Sequence, residues 1–180
     1  MDVLPIGLKD ALLLTPKVFG DQRGFFMETY QQERYKDAGI EFRFVQDNIS
    51  KSSYGTLRGL HFQAPPYDQG KLVFVLEGTV LDVIVDIRKK SLTFGQSFQV
   101  ELSAENKKQL WVPPGFAHGF VVLSQSAIFA YKCTNFYNQR AEGGVLWSDE
   151  FLNIDWQVKQ PILSEKDKKL SLWDDFQSPF

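Results

Sequence analysis

GTLRGLHFQAPPYDQGKLVFVLEGTVLDVIVDIR, residues 55–88, carries the reading of the fold. Two apolar runs, KLVFVLE and TVLDVIVD, flank Gly78. Both are of strand length and rich in Val, Leu and Ile, and Glu77-Gly78 is a turn signal, so the spacing predicts two strands joined as in a hairpin. Side chains alternate across a strand. Leu81, Val83, Val85 and Ile87 therefore share one face, and Val80, Asp82, Ile84 and Asp86 the other. Among these apolar residues stand Arg58, His61, Gln63, Lys71 and Asp82. Charges of both signs in such a setting read as the lining of a pocket. Arg58 and His61 would face opposite sides of a regular strand, but Gly59 between them predicts a bulge that brings both to one side.

Toward the N-terminus, residues 12–19 (LLLTPKVF) read as a short strand interrupted by Pro16, which favours an edge position. Asp21-Gln22-Arg23-Gly24 is a turn by composition, and FFMETY returns as a strand with Phe26, Glu28 and Tyr30 on one face. Residues 31–38 are polar, rich in helix formers and stopped by Gly39, a short helix. Residues 42–50 read as a strand with Phe44, Gln46 and Asn48 aligned. Toward the C-terminus, TFGQSFQVEL, QLWVPP, GFAHGFVVL and AIFAYKCTNF follow as strands, with turns at residues 104–106, 113–115 and 124–125. Short strands about ten residues apart argue for an all-β sandwich or barrel. LSEKDKKL is a short helix, and WDDFQSPF reads as a loosely held tail from about residue 171. The expectation is a single domain over residues 1–180, all-β, with a few short peripheral helices.

Composition narrows the function. The 180 residues are 43% hydrophobic and 23% charged, ordinary for a globular domain. A net charge of -2 supplies no field for a nucleic acid. Phosphate binding would rest on a few placed Arg and Lys side chains. The one cysteine, Cys133, cannot form an intrachain disulfide, so nothing asks for an oxidising compartment. No run reaches the ~18 apolar residues of a membrane span, and the first residues make a poor signal peptide. A cytoplasmic location with no membrane partner is expected.

Pro113-Pro114-Gly115-Phe116-Ala117-His118 fits the P-x-G-x-x-H pattern of cupin jelly-roll barrels, and Gly55 with His61 six residues on resembles their other motif. Metal-dependent cupins continue with a second histidine two residues later, where this chain has Gln63. With two histidines and one cysteine, a transition-metal site would need carboxylate or amide ligands. The expectation is no metal and no cofactor. On spacing alone, His118 also fits a hydrogen-bonded histidine inside a barrel. A histidine beside a lysine, with a tyrosine on another strand, is equipment for moving a proton next to a carbonyl. The lysine can stabilise an enolate oxygen, and Tyr131 can return a proton from the opposite face.

A longer set of residues is specific enough to name a family. DQRGFFMETY, VQDNISKSSYGTLRGLHFQAPPYDQGKLVFVLEGTVLDVIVDIR, SLTFG, WVPPGFAHGFVVLS, Tyr131-Lys132, the EGG at Glu142 and PILSEKD occur in family order. The chain resembles the dTDP-4-dehydrorhamnose 3,5-epimerases from Asp21 to about Asp167. The resemblance implies a cupin-like jelly-roll barrel that inverts C3 and C5 of dTDP-4-dehydro-6-deoxy-D-glucose without metal or cofactor. It implies His61 as the base, paired with Asp167, Tyr131 as the acid, and Lys71 at the C4 oxygen with His118 and Asp82 in support. Arg58 and Arg23 would bind the diphosphate. Phe26, Glu28, Gln46 and Asn48 match positions lining the nucleotide side, Glu142 and Lys166 fall at substrate-binding positions, and Tyr137 falls where an aromatic ring stacks on the sugar. The family's homodimers are implied too, with N-terminal strands contributing to the neighbour's sheet and site.

Each assignment has a plainer rival. Ser164-x-x-Asp167 reads as a capping box, Tyr131 as a core aromatic, Lys71 as a strand start with its ammonium in solvent, Asp82 as an outward residue, and Arg23 as a solvated turn residue. At the level of function, a 3-epimerase or a ketoisomerase on a related nucleotide sugar would share this equipment. A non-catalytic sugar-nucleotide-binding cupin would keep the arginines and lose the base or the acid.

Overall fold

Short runs of β-branched and aromatic residues, punctuated by glycine and proline, give the chain its many strands. The computed structural model describes residues 1–180. In chain order the elements are β1 (Asp2–Pro5), β2 (Leu12–Thr15), β3 (Val18–Asp21), β4 (Gly24–Met27), α1 (Gln32–Asp37), β5 (Gln46–Ser53) and β6 (Leu57–Gln63). Then come β7 (Lys71–Glu77), β8 (Thr79–Asp86), β9 (Ser97–Ser103), β10 (Gln109–Val112), β11 (Phe116–Val122), β12 (Ser126–Cys133) and β13 (Glu142–Gly144). They form a six-stranded sheet, β1-β2-β10-β7-β12-β5, a five-stranded sheet, β13-β6-β11-β8-β9, and a separate hairpin, β3-β4. The cupin-like jelly roll takes the form of two facing sheets.

Three clusters hold the sheets. Between them lie Leu13, Val73, Val75, Leu110 and Phe129 from one sheet and Val80, Ile84, Leu102, Phe116 and Phe120 from the other. The outer face of the five-stranded sheet carries Leu57, Leu60, Phe62, Leu81, Val83, Val85 and Ile87, covered by Val145, Leu152 and Trp156. The outer face of the six-stranded sheet is covered where Leu72 and Trp111 meet Tyr35 of α1 and Ile40. The two faces read along β8 therefore separate as the alternation predicts. The even-numbered face points inward and carries Asp82 into the sandwich, where it is fully buried.

Several local expectations change. β7 and β8 are not a hairpin: β7 pairs with β10 and β12, whereas β8 pairs with β11 and β9. Gly78, at φ +78°, turns the chain from one sheet to the other, and a Cβ there would meet the Ser126 carbonyl oxygen at 2.1 Å. Pro16 does not interrupt an edge strand but lies between β2 and β3, and β2 sits between two neighbours. The FFMETY strand ends at Met27, and the strand expected from residue 42 begins at Gln46. Gln31 caps α1 by accepting from the Arg34 N–H at 2.7 Å. LSEKDKKL forms only a 3-10 turn at Asp167–Lys169.

The tail is not loose. Phe176 and Phe180 pack edge-on against Phe62 at 5.7 and 6.0 Å. The Trp173 N–H donates to Asp149 at 2.7 Å, and the buried Ser178 hydroxyl donates to the Ile87 carbonyl. Its aromatics find the outer face of the five-stranded sheet.

The Gly59 bulge is present. β11 and β6 pair as His118↔His61 and then Phe120↔Arg58, so three steps along β6 match two along β11. A Cβ on Gly59 would sit 2.5 Å from Gly119 Cα and 2.9 Å from the His118 carbonyl oxygen, at φ +135°. Both neighbours are backbone and cannot swing aside. Gly59→Ala is expected to destabilise the fold by about 1–3 kcal/mol, measured by urea unfolding. A midpoint equal to the parent's would show that the two strands can part at no cost.

Candidate active site

The bulge decides what the open end of the sandwich presents. Leu57 and Leu60 both join the outer cluster, so Arg58 and His61 both turn inward. Facing them are the inward rows of β5 (Gln46, Asn48, Ser50), β7 (Lys71), β11 (His118) and β12 (Tyr131, Cys133). One lobe of the cleft, about 280 Å³, is lined by Arg58, His61, Lys71, His118, Tyr131, Lys166 and Asp167, with Ser50, Phe120, Phe129 and Ser164. A second, about 290 Å³, shares His61, Lys71 and Tyr131 and adds Gln46, Asn48, Gln63, Gln69, Cys133, Tyr137 and Glu142. Three shared residues make them one cleft.

His61 Nε2 lies 2.5 Å from Asp167 Oδ1. Burial alone would raise the Asp167 carboxyl, but the His61 hydrogen bond and charge, with the Ser164 bond, outweigh it and hold the carboxyl below its ordinary value. An ionised carboxylate only accepts, so Nε2 carries the hydrogen, and in the neutral ring Nδ1 then has the lone pair. The Asp167 N–H donates to the Ser164 hydroxyl at 3.1 Å while its carboxylate meets His61. Because the folded value is depressed, the stability it contributes is complete above the unfolded value of about 3.9. That contribution is lost as pH falls through the folded value. Asp167→Asn should therefore flatten the acid limb of the stability curve below about pH 4, read by urea unfolding. An acid limb as steep as the parent's would mean the pair adds nothing to folding.

His118 Nε2 lies 2.9–3.0 Å from both Asp82 oxygens. Burial pushes the Asp82 carboxyl up, with His118 and Lys71 pulling it back. Burial pushes the Lys71 ammonium down, opposed by Cys133, Asp82 and Glu142. Burial also raises the Tyr131 phenol, which keeps it protonated at neutral pH. Neither Lys71 Nζ nor Tyr131 Oη has a hydrogen-bond partner in the chain, and both reach the cleft. At the mouth, Lys166 bonds Glu142, which also accepts from Tyr137 Oη at 3.1 Å. Burial alone would raise the Glu142 carboxyl, but the Lys166 bond and charge, with the Tyr137 bond and the His61 charge, together outweigh it and hold the carboxyl below its ordinary value.

Arg23, Phe26 and Glu28 are not brought to this cleft. Arg23 is exposed on the β3-β4 turn and paired with Asp21. Phe26 is 69% exposed, and Glu28 pairs with Arg34 at 2.8 Å. Spacing missed the lining by Ser50, Gln69, Phe129 and Cys133. Cys133 was legible from parity, two residues beyond Tyr131 on β12. A larger cavity, about 670 Å³, lies between residues 5–12 and 88–93, but its Arg88 is committed to Asp86 and Asp10. No group of three or more His, Cys, Asp or Glu side chains is placed to hold a metal.

Known proteins with this architecture can now be set beside the cleft. A family model described as dTDP-4-dehydrorhamnose 3,5-epimerase matches residues 5–175. An epimerase of that description from Shigella flexneri is 57% identical over 168 residues, 93% of either chain. The crystal structure of one from Elizabethkingia anophelis superposes with a TM-score of 0.93 at 52% identity, covering 97% of both chains. A Legionella pneumophila dTDP-6-deoxy-D-glucose-3,5-epimerase, solved in complex with dTDP-4-keto-L-rhamnose, gives 0.94 at 49% identity, covering 98% of this chain and 94% of that one. Match and relatives span nearly the whole sequence, and the chain belongs to the dTDP-4-dehydrorhamnose 3,5-epimerase family.

Proposed function

We propose that the protein converts dTDP-4-dehydro-6-deoxy-D-glucose to dTDP-4-dehydro-L-rhamnose by inverting C3 and C5. The observation that carries this reading is the His61–Asp167 pair facing an unpaired Lys71 and Tyr131 across one cleft. C3 and C5 flank the C4 ketone, so a proton lost from either leaves an enolate on the C4 oxygen. His61 Nδ1 takes that proton, and Asp167 steadies the imidazolium. The Lys71 ammonium receives the developing oxyanion in a desolvated setting, where a placed donor is worth about 10²–10³ in rate. Tyr131 returns a proton to the opposite face. The ketone supplies the acidity, so no cofactor enters.

Arg58 lies in the His61 lobe with its guanidinium Nε on the Ser52 hydroxyl at 3.2 Å, leaving its outer nitrogens for a diphosphate. Gln46, Asn48, Tyr137, Glu142 and Lys166 contact the substrate along the second lobe and at the mouth, while His118 and Asp82 support the floor. Arg23, Phe26 and Glu28 come from a second copy in this reading. Their hairpin exposes Phe19, Phe25 and Phe26 together, an apolar surface that a homodimer would cover. No helix of the chain is long and apolar enough to cross a membrane, and the reading keeps the reaction in the cytoplasm.

Incubation with the substrate in D2O tests the reaction, with deuterium read by NMR. Label is expected at both C3 and C5. Label at C3 alone would make the protein a 3-epimerase, and label at neither carbon would remove this substrate from consideration.

A further inference from the structure

Gln63 lies two residues beyond His61 on β6, so the two side chains leave one face of the strand, while Phe62 between them joins the outer cluster. It is only 5% exposed. Its Oε1 accepts from the backbone N–H of Asn138 at 2.8 Å. A backbone N–H can only donate, so the atom it meets must be the amide oxygen, and the orientation of the amide is settled. The NH2 end meets no acceptor in the chain and is not sealed in the core; it reaches the lobe lined by Asn48, Lys71 and Tyr131. An amide donor so nearly buried costs free energy unless something in the cleft receives it.

We infer that the Gln63 amide NH2 is a further substrate contact that donates to a hydroxyl of the hexose, an inference resting on the sugar-nucleotide reading above. Two strand steps place its Cα about 6.6 Å from that of His61, and the base has to sit at the hexose. The diphosphate has its own cation, Arg58, in the other lobe, so the neutral amide faces a neutral oxygen. At the same time Oε1 anchors the loop beside Tyr137, whose own N–H is held by Gln46 at 3.1 Å. One side chain thus binds the sugar with one end and seats the Tyr137 loop with the other.

Two substitutions separate these ends. Gln63→Glu keeps an oxygen for the Asn138 N–H and removes the donor, whereas Gln63→Met removes both. Dissociation constants for dTDP and for dTDP-glucose, measured by calorimetry, form a ratio in which an added charge or a shifted loop acts on both ligands. Both variants are expected to raise the dTDP-glucose/dTDP ratio by about 3- to 10-fold, the usual share of one neutral hydrogen bond. An unchanged ratio in both variants, or a change with Gln63→Met alone, would overturn the inference and leave Gln63 a loop anchor. A parent protein that binds neither ligand would instead overturn the sugar-nucleotide reading itself, and the parent measurement tells the two failures apart.

Discussion

His61→Asn is expected to lower turnover by about 10²–10⁴-fold, the share of a positioned general base. The substitution removes the imidazole that shares the cleft with Lys71 and Tyr131. Asparagine keeps polarity and reach toward Asp167, so the loop at Asp167–Lys169 should stay docked on β6. Proton abstraction itself fails, so deuterium exchange from D2O should fall in step with epimerisation at both carbons. Binding of dTDP, measured beside an unfolding curve, should stay near the parent value and show that the cleft is intact. A variant that still exchanges C3 or C5 at the parent rate would place the base on another residue. His118, which lines the same lobe, would be the first to consider.

The catalytic centre was more legible in the sequence than the chain path around it. Parity along β8 set Asp82 on one face with Val80 and Ile84, and Gly59 announced the bulge that turns Arg58 toward His61. Both follow from the two-residue period of a strand, a local property. The β7–β8 connection was misread because an apolar run carries no label for its pairing partner. Only the corner at Gly78, packed against the Ser126 carbonyl, shows that the chain changes sheets. WDDFQSPF looked loose for a similar reason. Its aromatics are too scattered to show a period, and their burial depends on the outer face that Phe62 presents. Ser164-x-x-Asp167 was ambiguous between a cap and a partner for His61, because the Asp167 backbone bonds the Ser164 hydroxyl while its carboxylate bonds His61. Arg23, Phe26 and Glu28 mark a different limit. Family order assigns them to the site, yet their hairpin stands apart from the cleft of this chain.

Burial also explains how acid and base divide their work. It raises the Tyr131 phenol, while a strong partner overrides it at Asp167 and keeps that carboxylate charged. At neutral pH the cleft thus holds an imidazole oriented by an anion and a phenol that does not ionise. They enter the cleft from different sheets, His61 from the five-stranded one and Tyr131 from the six-stranded one. That separation is what inversion requires, because removal and return must occur on opposite faces of the same carbon.

Tyr131→Phe tests the division directly. Phenylalanine preserves the ring, its packing toward Phe129 at 6.1 Å and the β12 register, and removes only a hydroxyl that no group of the chain engages. No buried partner is stranded, so folding stability should change by less than about 1 kcal/mol. Formation of the inverted product is expected to fall by about 10²–10⁴-fold, the range for a general acid. Abstraction needs only His61, Asp167 and Lys71, and the imidazolium can return its proton to the face it came from. Solvent exchange with retention should therefore persist within about 10-fold of the parent rate, well inside the range that loss of a general acid would cause. Deuterated, uninverted substrate accumulating in D2O is the signature of a base that still works and an acid that is missing. Equal loss of exchange and inversion would tie Tyr131 to the abstraction step, and an undiminished rate of inversion would hand the second face to water or to another donor.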